Sequence, residues 1–230
     1  MSDPVTNRIV LASQSPRRRR LLAWLGLPFS ATSVDTPEDL TGPLASDPPA
    51  LAARLAAEKA GAARDEGHAE SAVVLCFDTV VVLDNRIIGK PSSVRDAWEM
   101  LRNLSGRTHE VVTGVAILCP ENDEPETFSV ATPVRMRHLT DADIEAWMAR
   151  GEFMGCAGAY NIEGQVAEVD VDQCYQNVAG LPLCHLYAAL AGGVAACFGV
   201  AGRNAMTSPV PPCDAALNRT CRLGPRLVRG

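Results

Sequence analysis

Leu11-Ala12-Ser13-Gln14-Ser15-Pro16-Arg17-Arg18-Arg19-Arg20, followed by Leu21-Leu22-Ala23-Trp24-Leu25-Gly26, is a polar turn and four consecutive arginines opening an apolar run. Ser15 is a natural N-cap, Pro16 suits a first helical position that needs no N–H donor, and Gly26 can close the helix in a left-handed conformation. A helix is therefore expected over 16–25, with the arginines in its first turn. Cations are unfavourable there by roughly 0.3–1 kcal/mol, because the helix N-terminus carries partial positive charge. Free N–H groups, a Ser-rich turn and forked guanidiniums together describe an anion site, a phosphate above all. For Arg19 and Arg20 a solvated basic surface is the preferred reading. Upstream, residues 7–12 read as a short buried strand, so the stretch begins a β-loop-α unit and sets an α/β architecture.

Bulk properties narrow the classes. The 230 residues are 47% hydrophobic and 21% charged, enough for a full core and inconsistent with a disordered chain. The net charge of −6 argues against non-specific binding to nucleic acid and makes the arginine cluster a local pocket. None of the eight cysteines falls in a C-x-x-C pair, and there is no charged-then-apolar leader, so free thiols and a cytoplasmic location are expected. Paired zinc-ligand spacing is missing, and the four histidines are scattered. Residues 178–202 lack Asp, Glu, Lys and Arg, but Pro182 and five glycines break them up short of the ~20 residues a membrane span needs. No P-loop signature appears.

A second informative run is Ala72-Val73-Val74-Leu75-Cys76-Phe77-Asp78-Thr79-Val80-Val81-Val82-Leu83. A carboxylate in the middle of so apolar a strand is costly unless it neutralises or meets a cation. Asp78 thus calls for a metal, an arginine or a role as general base; the alternative, a break between two strands, lacks the Gly, Asn or Pro that would mark it. Elsewhere, Asp35-Thr36-Pro37-Glu38-Asp39 is an acidic loop that balances charge or holds a divalent metal. A helix is expected over 49–64, carrying Lys59. Asp84-Asn85-Arg86 makes a hairpin turn into Gly89-Lys90-Pro91. Further helices follow Ser93 and Thr140, with strands at 108–118 and 128–136. A strand reaches Val171, a last helix opens at Asn177 and ends near Gly192, and the Pro- and Arg-containing tail from 193 is expected to hold little regular structure.

These motifs resemble the Maf family, nucleoside triphosphate pyrophosphatases first described as septum formation inhibitors. The resemblance rests on Leu11-Ala12-Ser13-x-Ser15-Pro16-Arg17-Arg18, Glu58-Lys59-Ala60, Asp78-Thr79-Val80, Gly89-Lys90-Pro91, Leu104-Ser105-Gly106-x-Thr108-His109, Ala157-Gly158-Ala159-Tyr160 and Gly180-Leu181-Pro182-Leu183, in the family's order. It implies a mixed, elongated sheet flanked by helices, two lobes around a nucleotide cleft as in ITPase-like folds, a domain over 1–192 and a tail over 193–230. The implied activity is hydrolysis of a nucleoside triphosphate to the monophosphate and diphosphate with Mg or Mn. By the same resemblance Asp78 is the proton acceptor; Ser13, Arg17, Arg18, Lys59 and Lys90 contact phosphate; and Glu38 joins Asp78 at the metal. Base preference is implied to follow Arg17, Thr79 and Glu163. The first two match a branch acting on dTTP and UTP, which carries Gln at the third place; Glu163 matches a branch favouring methylated GTP. An ionised Glu only accepts hydrogen bonds and faces a pyrimidine carbonyl unfavourably. Phe77, where a small residue usually precedes the Asp, is a further departure. The implied partner is a nucleotide, with no nucleic acid or membrane, and homodimer formation stays open. The rival reading is a catalytically weak nucleotide-binding protein that arrests division through partners.

Overall fold

The computed structural model describes residues 8–120, 122–192 and 199–229. Seven strands form one mixed sheet: β1 (Arg8–Ala12), β2 (Phe29–Thr32), β3 (Ala72–Leu83), β4 (Arg86–Ile88), β5 (Thr108–Leu118), β6 (Glu126–Met136) and β7 (Ala167–Glu168), in the order β2-β1-β3-β5-β6-β7, with β4 also on β3. β1 is parallel to β2 and β3, and the remaining pairs are antiparallel. The expected α/β architecture with an elongated mixed sheet is what the chain adopts.

β3 is the spine. Along one edge it pairs over its whole middle with β5, Asp78 lying opposite Gly114. Along the other, β1 pairs only as far as Leu75 and β4 only from Val81. The intervening edge carries neither partner, and a cleft opens there, at the point where the strand's neighbours change. The strand runs unbroken through Asp78, so the carboxylate does not mark a break. The hairpin into β4 has Asp84 and Asn85 both at positive φ, +50° and +58°, as a type I′ turn requires.

Side chains of β3 alternate between two cores. Val74, Cys76, Val80 and Val82 face helix α2 (Pro48–Asp65), whose Leu51, Leu55, Ala56, Ala60 and Ala63 are buried there. Val73, Leu75, Phe77 and Val81 face the larger core with Leu21, Leu22 and Leu25, brought by helix α1 (Pro16–Ala23) and its C-terminal turn, and with Leu101 and Leu104 of α3 (Val94–Leu104). α2 sits unusually close to the sheet: a Cβ at Gly114 would stand 1.9 Å from the Ala52 carbonyl oxygen, so only glycine fits.

On the far side come α4 (Asp141–Met148), with its Thr140/Asp143 capping box, and the segment where one helix was expected from Asn177. That segment is two helices, α5 (Tyr175–Val178) and α6 (Leu183–Ala191), separated by Gly180 at φ +94° and by Pro182. The strand expected to reach Val171 is only the two residues of β7. The tail departs most. It forms α7 (Gly199–Ala205), α8 (Val210–Leu217) and α9 (Gly224–Val228), because its prolines sit at helix starts, where a missing N–H costs nothing. It is also tied to the sheet domain: Thr207 donates from N–H and Oγ1 to the carbonyls of Leu25 and Trp24, both 2.8 Å, and the Arg222 N–H donates to the Val171 carbonyl at 3.0 Å. Cys76, Cys156, Cys174, Cys184, Cys213 and Cys221 are free thiols. Cys119 is disulfide-bonded, so free thiols throughout is not the outcome. No helix among the described residues is long and apolar enough to cross a membrane.

Candidate functional site

The cleft at the open edge of β3 is lined by Arg17, Arg18, Lys59, Asp78, Thr79 and Lys90, among others. It continues outward past Ser13, Ser15, Asp35 and Glu152. Asp78 and Thr79, adjacent in sequence, point to opposite faces of the sheet. Both reach the cleft because no strand closes the edge between β1 and β4.

On the α2 face the site is ionic. The close approach at Gly114 lowers α2 onto the sheet, and two turns beyond Ala52 the Lys59 ammonium meets the Asp78 carboxylate. Asp78 is 3% exposed and the Lys59 side chain 13%, so the pair is buried and each charge depends on the other. Lys59 Nζ also lies 3.0 Å from Glu38 Oε1, and Lys90 Nζ lies 2.6 Å from the same oxygen. Burial works against the Lys59 charge, yet the Asp78 and Glu38 carboxylates outweigh it and raise the pKa above the ordinary lysine value. For Glu38 burial likewise opposes ionisation, and the bonds from Lys90 and Lys59 still hold the carboxyl below its usual range. The acidic loop is seated on Gly89, where a Cβ would come 2.7 Å from Leu40.

On the opposite face a single cation is held by neutral oxygens. The Ser15 hydroxyl caps α1 by accepting from the Arg18 N–H, 3.4 Å. The Arg18 guanidinium then turns back into the molecule, donating from Nε to the Gly180 carbonyl (2.8 Å), from Nη2 to Thr79 Oγ1 (3.0 Å) and from Nη1 to Ser13 Oγ (3.3 Å), over the Phe77 ring at 5.7 Å. Desolvation lowers its pKa, an effect that Asp78 partly offsets. Phe77 is thus the floor under the guanidinium. Thr79 Oγ1 lies 2.9 Å from Thr113 Oγ1, which donates to the Asn177 carbonyl at 3.1 Å. Since each hydroxyl has one proton, the order runs Arg18 to Thr79 to Thr113 to Asn177. Arg17 lies beside the cleft with Nη2 3.3 Å from Cys156 Sγ.

Of the residues singled out from the sequence, Ser13, Arg17, Arg18, Glu38, Lys59, Asp78, Thr79 and Lys90 therefore meet at one cleft or brace the groups that line it. Glu163 stands apart: it is paired with Arg20 on the exposed side of the molecule and is not among the cleft-lining residues. Arg20, expected as plain surface, is exposed but has this partner. Sequence reading missed Thr113, Asn177, Cys156 and the Gly180 carbonyl. Asn177 is fully buried, with its amide donating to the Val111 and Val130 carbonyls at 3.0 and 2.9 Å; its burial shows only in the fold, so no local pattern marked it.

Fold and cleft define an α/β protein that presents four cations and one buried carboxylate, Asp78, to one ligand cavity, with the half-buried Glu38 bridging two of the cations. The family model for Maf-like protein matches residues 8–192, and the chain belongs to that family. A protein of Geobacter metallireducens named dTTP/UTP pyrophosphatase is 44% identical over 188 residues, covering 80% of this chain and 94% of that one. The Geobacter sulfurreducens protein of the same name is 45% identical over 184 residues, covering 78% and 93%, and that of Xanthomonas axonopodis pv. citri 42% over 181, covering 77% and 94%. Among solved structures, the Staphylococcus aureus Ham1 protein aligns with a TM-score of 0.36 and 13% identity over 56% of this chain and 72% of its own, too slight a likeness to carry an assignment. The tail helices α7 to α9 lie outside the matched residues.

Proposed function

We propose that this chain is a nucleoside triphosphate pyrophosphatase that hydrolyses dTTP or UTP to the monophosphate and diphosphate. The observation that carries the proposal is the buried Lys59–Asp78 pair, backed by the half-buried Glu38, facing Arg18 across one cleft. It combines cations for a polyphosphate with a carboxylate able to take a proton beside it. The names of the relatives support the same reading.

Arg17, Lys59, Lys90 and the start of α1 bind the phosphates, Arg18 and Ser13 brace that wall, and Asp78 accepts the proton of a water attacking the α-phosphorus. The new oxygen–phosphorus bond forms as the bond to the bridging oxygen breaks, and diphosphate leaves with that oxygen. Among the described residues no group of three or more His, Cys, Asp and Glu side chains is gathered for a metal. Glu38 and Asp78 nevertheless converge on one ammonium, so two hard oxygen donors already enclose a positive charge, and a donor set completed by phosphate oxygens suits Mg or Mn. Those two residues would hold the ion, which when bound neutralises phosphate charge.

Pyrimidine preference is supported by Arg17 and Thr79, which match the dTTP/UTP pattern and stand at the cleft. Glu163 does not oppose it, because its carboxylate is engaged by Arg20 outside the cleft. The partner is the nucleotide, and the reading places the reaction in the cytoplasm. The test is diphosphate release from a panel of nucleoside triphosphates with Mg or Mn. dTTP and UTP should be turned over fastest, and Asp78→Asn should lower kcat by about 10²–10⁴-fold. No diphosphate from any nucleotide, or near-normal turnover in folded Asp78→Asn protein, overturns the proposal.

A further inference from the structure

Beyond its phosphate-facing opening the cleft has an inner recess, walled by Thr79, Val81, Val111, Ala157, Asn161 and Val178. Apolar walls with a few polar groups suit a flat heterocycle better than a phosphate. Other polar side chains around it are committed elsewhere: Asp78 meets Lys59, Thr79 is tied to Arg18 and Thr113, and the Tyr160 hydroxyl lies 2.6 Å from His109 Nε2. Asn161 differs. It is 4% exposed, its Oδ1 accepts from the Gly164 N–H at 3.0 Å, and its Nδ2 donates to Glu152 Oε2 at 3.0 Å. A primary amide has two N–H donors and two acceptor sites, so one of each is left for a ligand.

The two partners also fix which way round the amide sits. A backbone N–H can only donate, so the oxygen must face Gly164. That glycine is pressed against Trp147, where a Cβ would stand 2.5 Å from the ring. A carboxylate can only accept, so the nitrogen must face Glu152. The bond from Asn161 and those from Arg150, 3.4 and 3.2 Å, hold the Glu152 carboxyl below its usual range and keep it ionised. With a donor on one side and an acceptor on the other, a flipped amide would lose both bonds.

We propose that Asn161 reads the base and selects uracil and thymine over cytosine, an inference that rests on the nucleotide-hydrolase reading above. Uracil and thymine carry a carbonyl oxygen beside N3–H, the pattern complementary to one amide N–H and one amide carbonyl. At the same edge cytosine has an acceptor at N3 and a donor at N4, so both groups of the locked amide would meet their like. Buried polar groups left unpaired in this way are what makes such a site reject the wrong base. Glu152 is then a positioning residue, which holds the amide in the orientation that uracil needs. Glu163, engaged by Arg20 outside the cleft, has no part in this recognition.

The test compares kcat/KM for UTP and CTP, together with the affinities of their α,β-imido analogues. The full chain should favour UTP by about 10–100-fold. Asn161→Ala should lower UTP turnover and bring the ratio toward one. Glu152→Gln, whose amide can donate as well as accept, should raise CTP turnover and leave UTP little changed. Because Asn161→Ala can fail to fold, 3-methyl-UTP with the wild-type chain is the independent arm: its N3 cannot donate, and it should be turned over as poorly as CTP. A purely structural role would lower both nucleotides together. An unchanged ratio in both variants, or 3-methyl-UTP turned over as fast as UTP, overturns the assignment. Imido analogues that bind in the expected ratio while no nucleotide releases diphosphate would overturn the hydrolase reading and support the base site. Diphosphate release with equal affinities overturns the base site alone.

Discussion

The two faces of β3 bury polar groups in opposite ways. Toward α2 the solution is charge against charge: Asp78, Lys59, Glu38 and Lys90 in an alternating chain. Toward α1 polar groups are kept neutral and linked by hydrogen bonds, as in Thr79, Thr113 and Asn177 and, farther along the same face of β5, His109 against Tyr160 at 2.6 Å. Arg18 is the charge on that side, spread over three oxygen acceptors. The ionic face can exchange partners when a charged ligand arrives. The neutral face cannot, and it serves as the rigid wall.

The sharpest way to break this contrast is to remove one charge from the ionic face. Lys59→Met deletes the cation that two carboxylates share and leaves Asp78 buried without it, which should destabilise the fold by about 3–5 kcal/mol; urea unfolding at neutral pH measures this, and a loss under 1 kcal/mol would show that the chain of charges is solvated. Because the folded Lys59 pKa is raised, its contribution is complete below the ordinary lysine value of 10.5 and is lost as pH climbs through the folded value. Glu38 has the reverse dependence: its contribution is present above 4.5 and is lost as pH falls through its lowered folded value.

The neutral face is vulnerable from the acid side through a different residue. Burial lowers His109 from 6.5 to about 4, so as pH falls between those values the unfolded chain takes up a proton that the folded one refuses. Stability should drop by about 3 kcal/mol across that window. His109→Gln, which can still bond to Tyr160, should flatten the decline relative to wild type; identical slopes would mean that the ring is protonated in the folded state. Thr113→Val is a smaller perturbation, leaving the Thr79 proton and the Asn177 carbonyl without their partner. A loss of about 1–3 kcal/mol is expected, accompanied by a higher KM as Arg18 loosens, and Thr113→Ser should restore both.

How much of this could be read from the chain depended on how local the signal was. The α1 cap, the Asp84-Asn85 turn and the capping box at Thr140 are each written in a few consecutive residues. Asp78 was legible too, because a carboxylate in an apolar strand stands out anywhere. The brace behind Arg18 was not, since Thr113 and Asn177 are ordinary residues until β5 and α5 bring them together over a separation of 64 residues. Nor did the tail prolines announce helix starts, because a proline reads equally well as a loop residue until its neighbours pack.

The smallest expected effect is also the most discriminating for specificity. If base choice followed residue type at position 163 alone, Glu163→Gln would convert an acceptor into a group that both donates and accepts, and would change the ranking of nucleotides. The structure gives that carboxylate another task, an ion pair with Arg20 in which both side chains are well exposed, 52% and 38%. Exposed pairs of this kind contribute between 0 and about 1 kcal/mol. Glu163→Gln should therefore leave the ranking of nucleotides unchanged and shift the unfolding midpoint slightly or not at all. A switch of preferred base would mean that the Arg20 pair opens when nucleotide enters and that Glu163 swings toward the cleft. Arg20→Gln separates the two cases: it frees Glu163 without changing it, so a swinging carboxylate would alter the ranking in this variant as well, whereas a surface pair would leave it untouched.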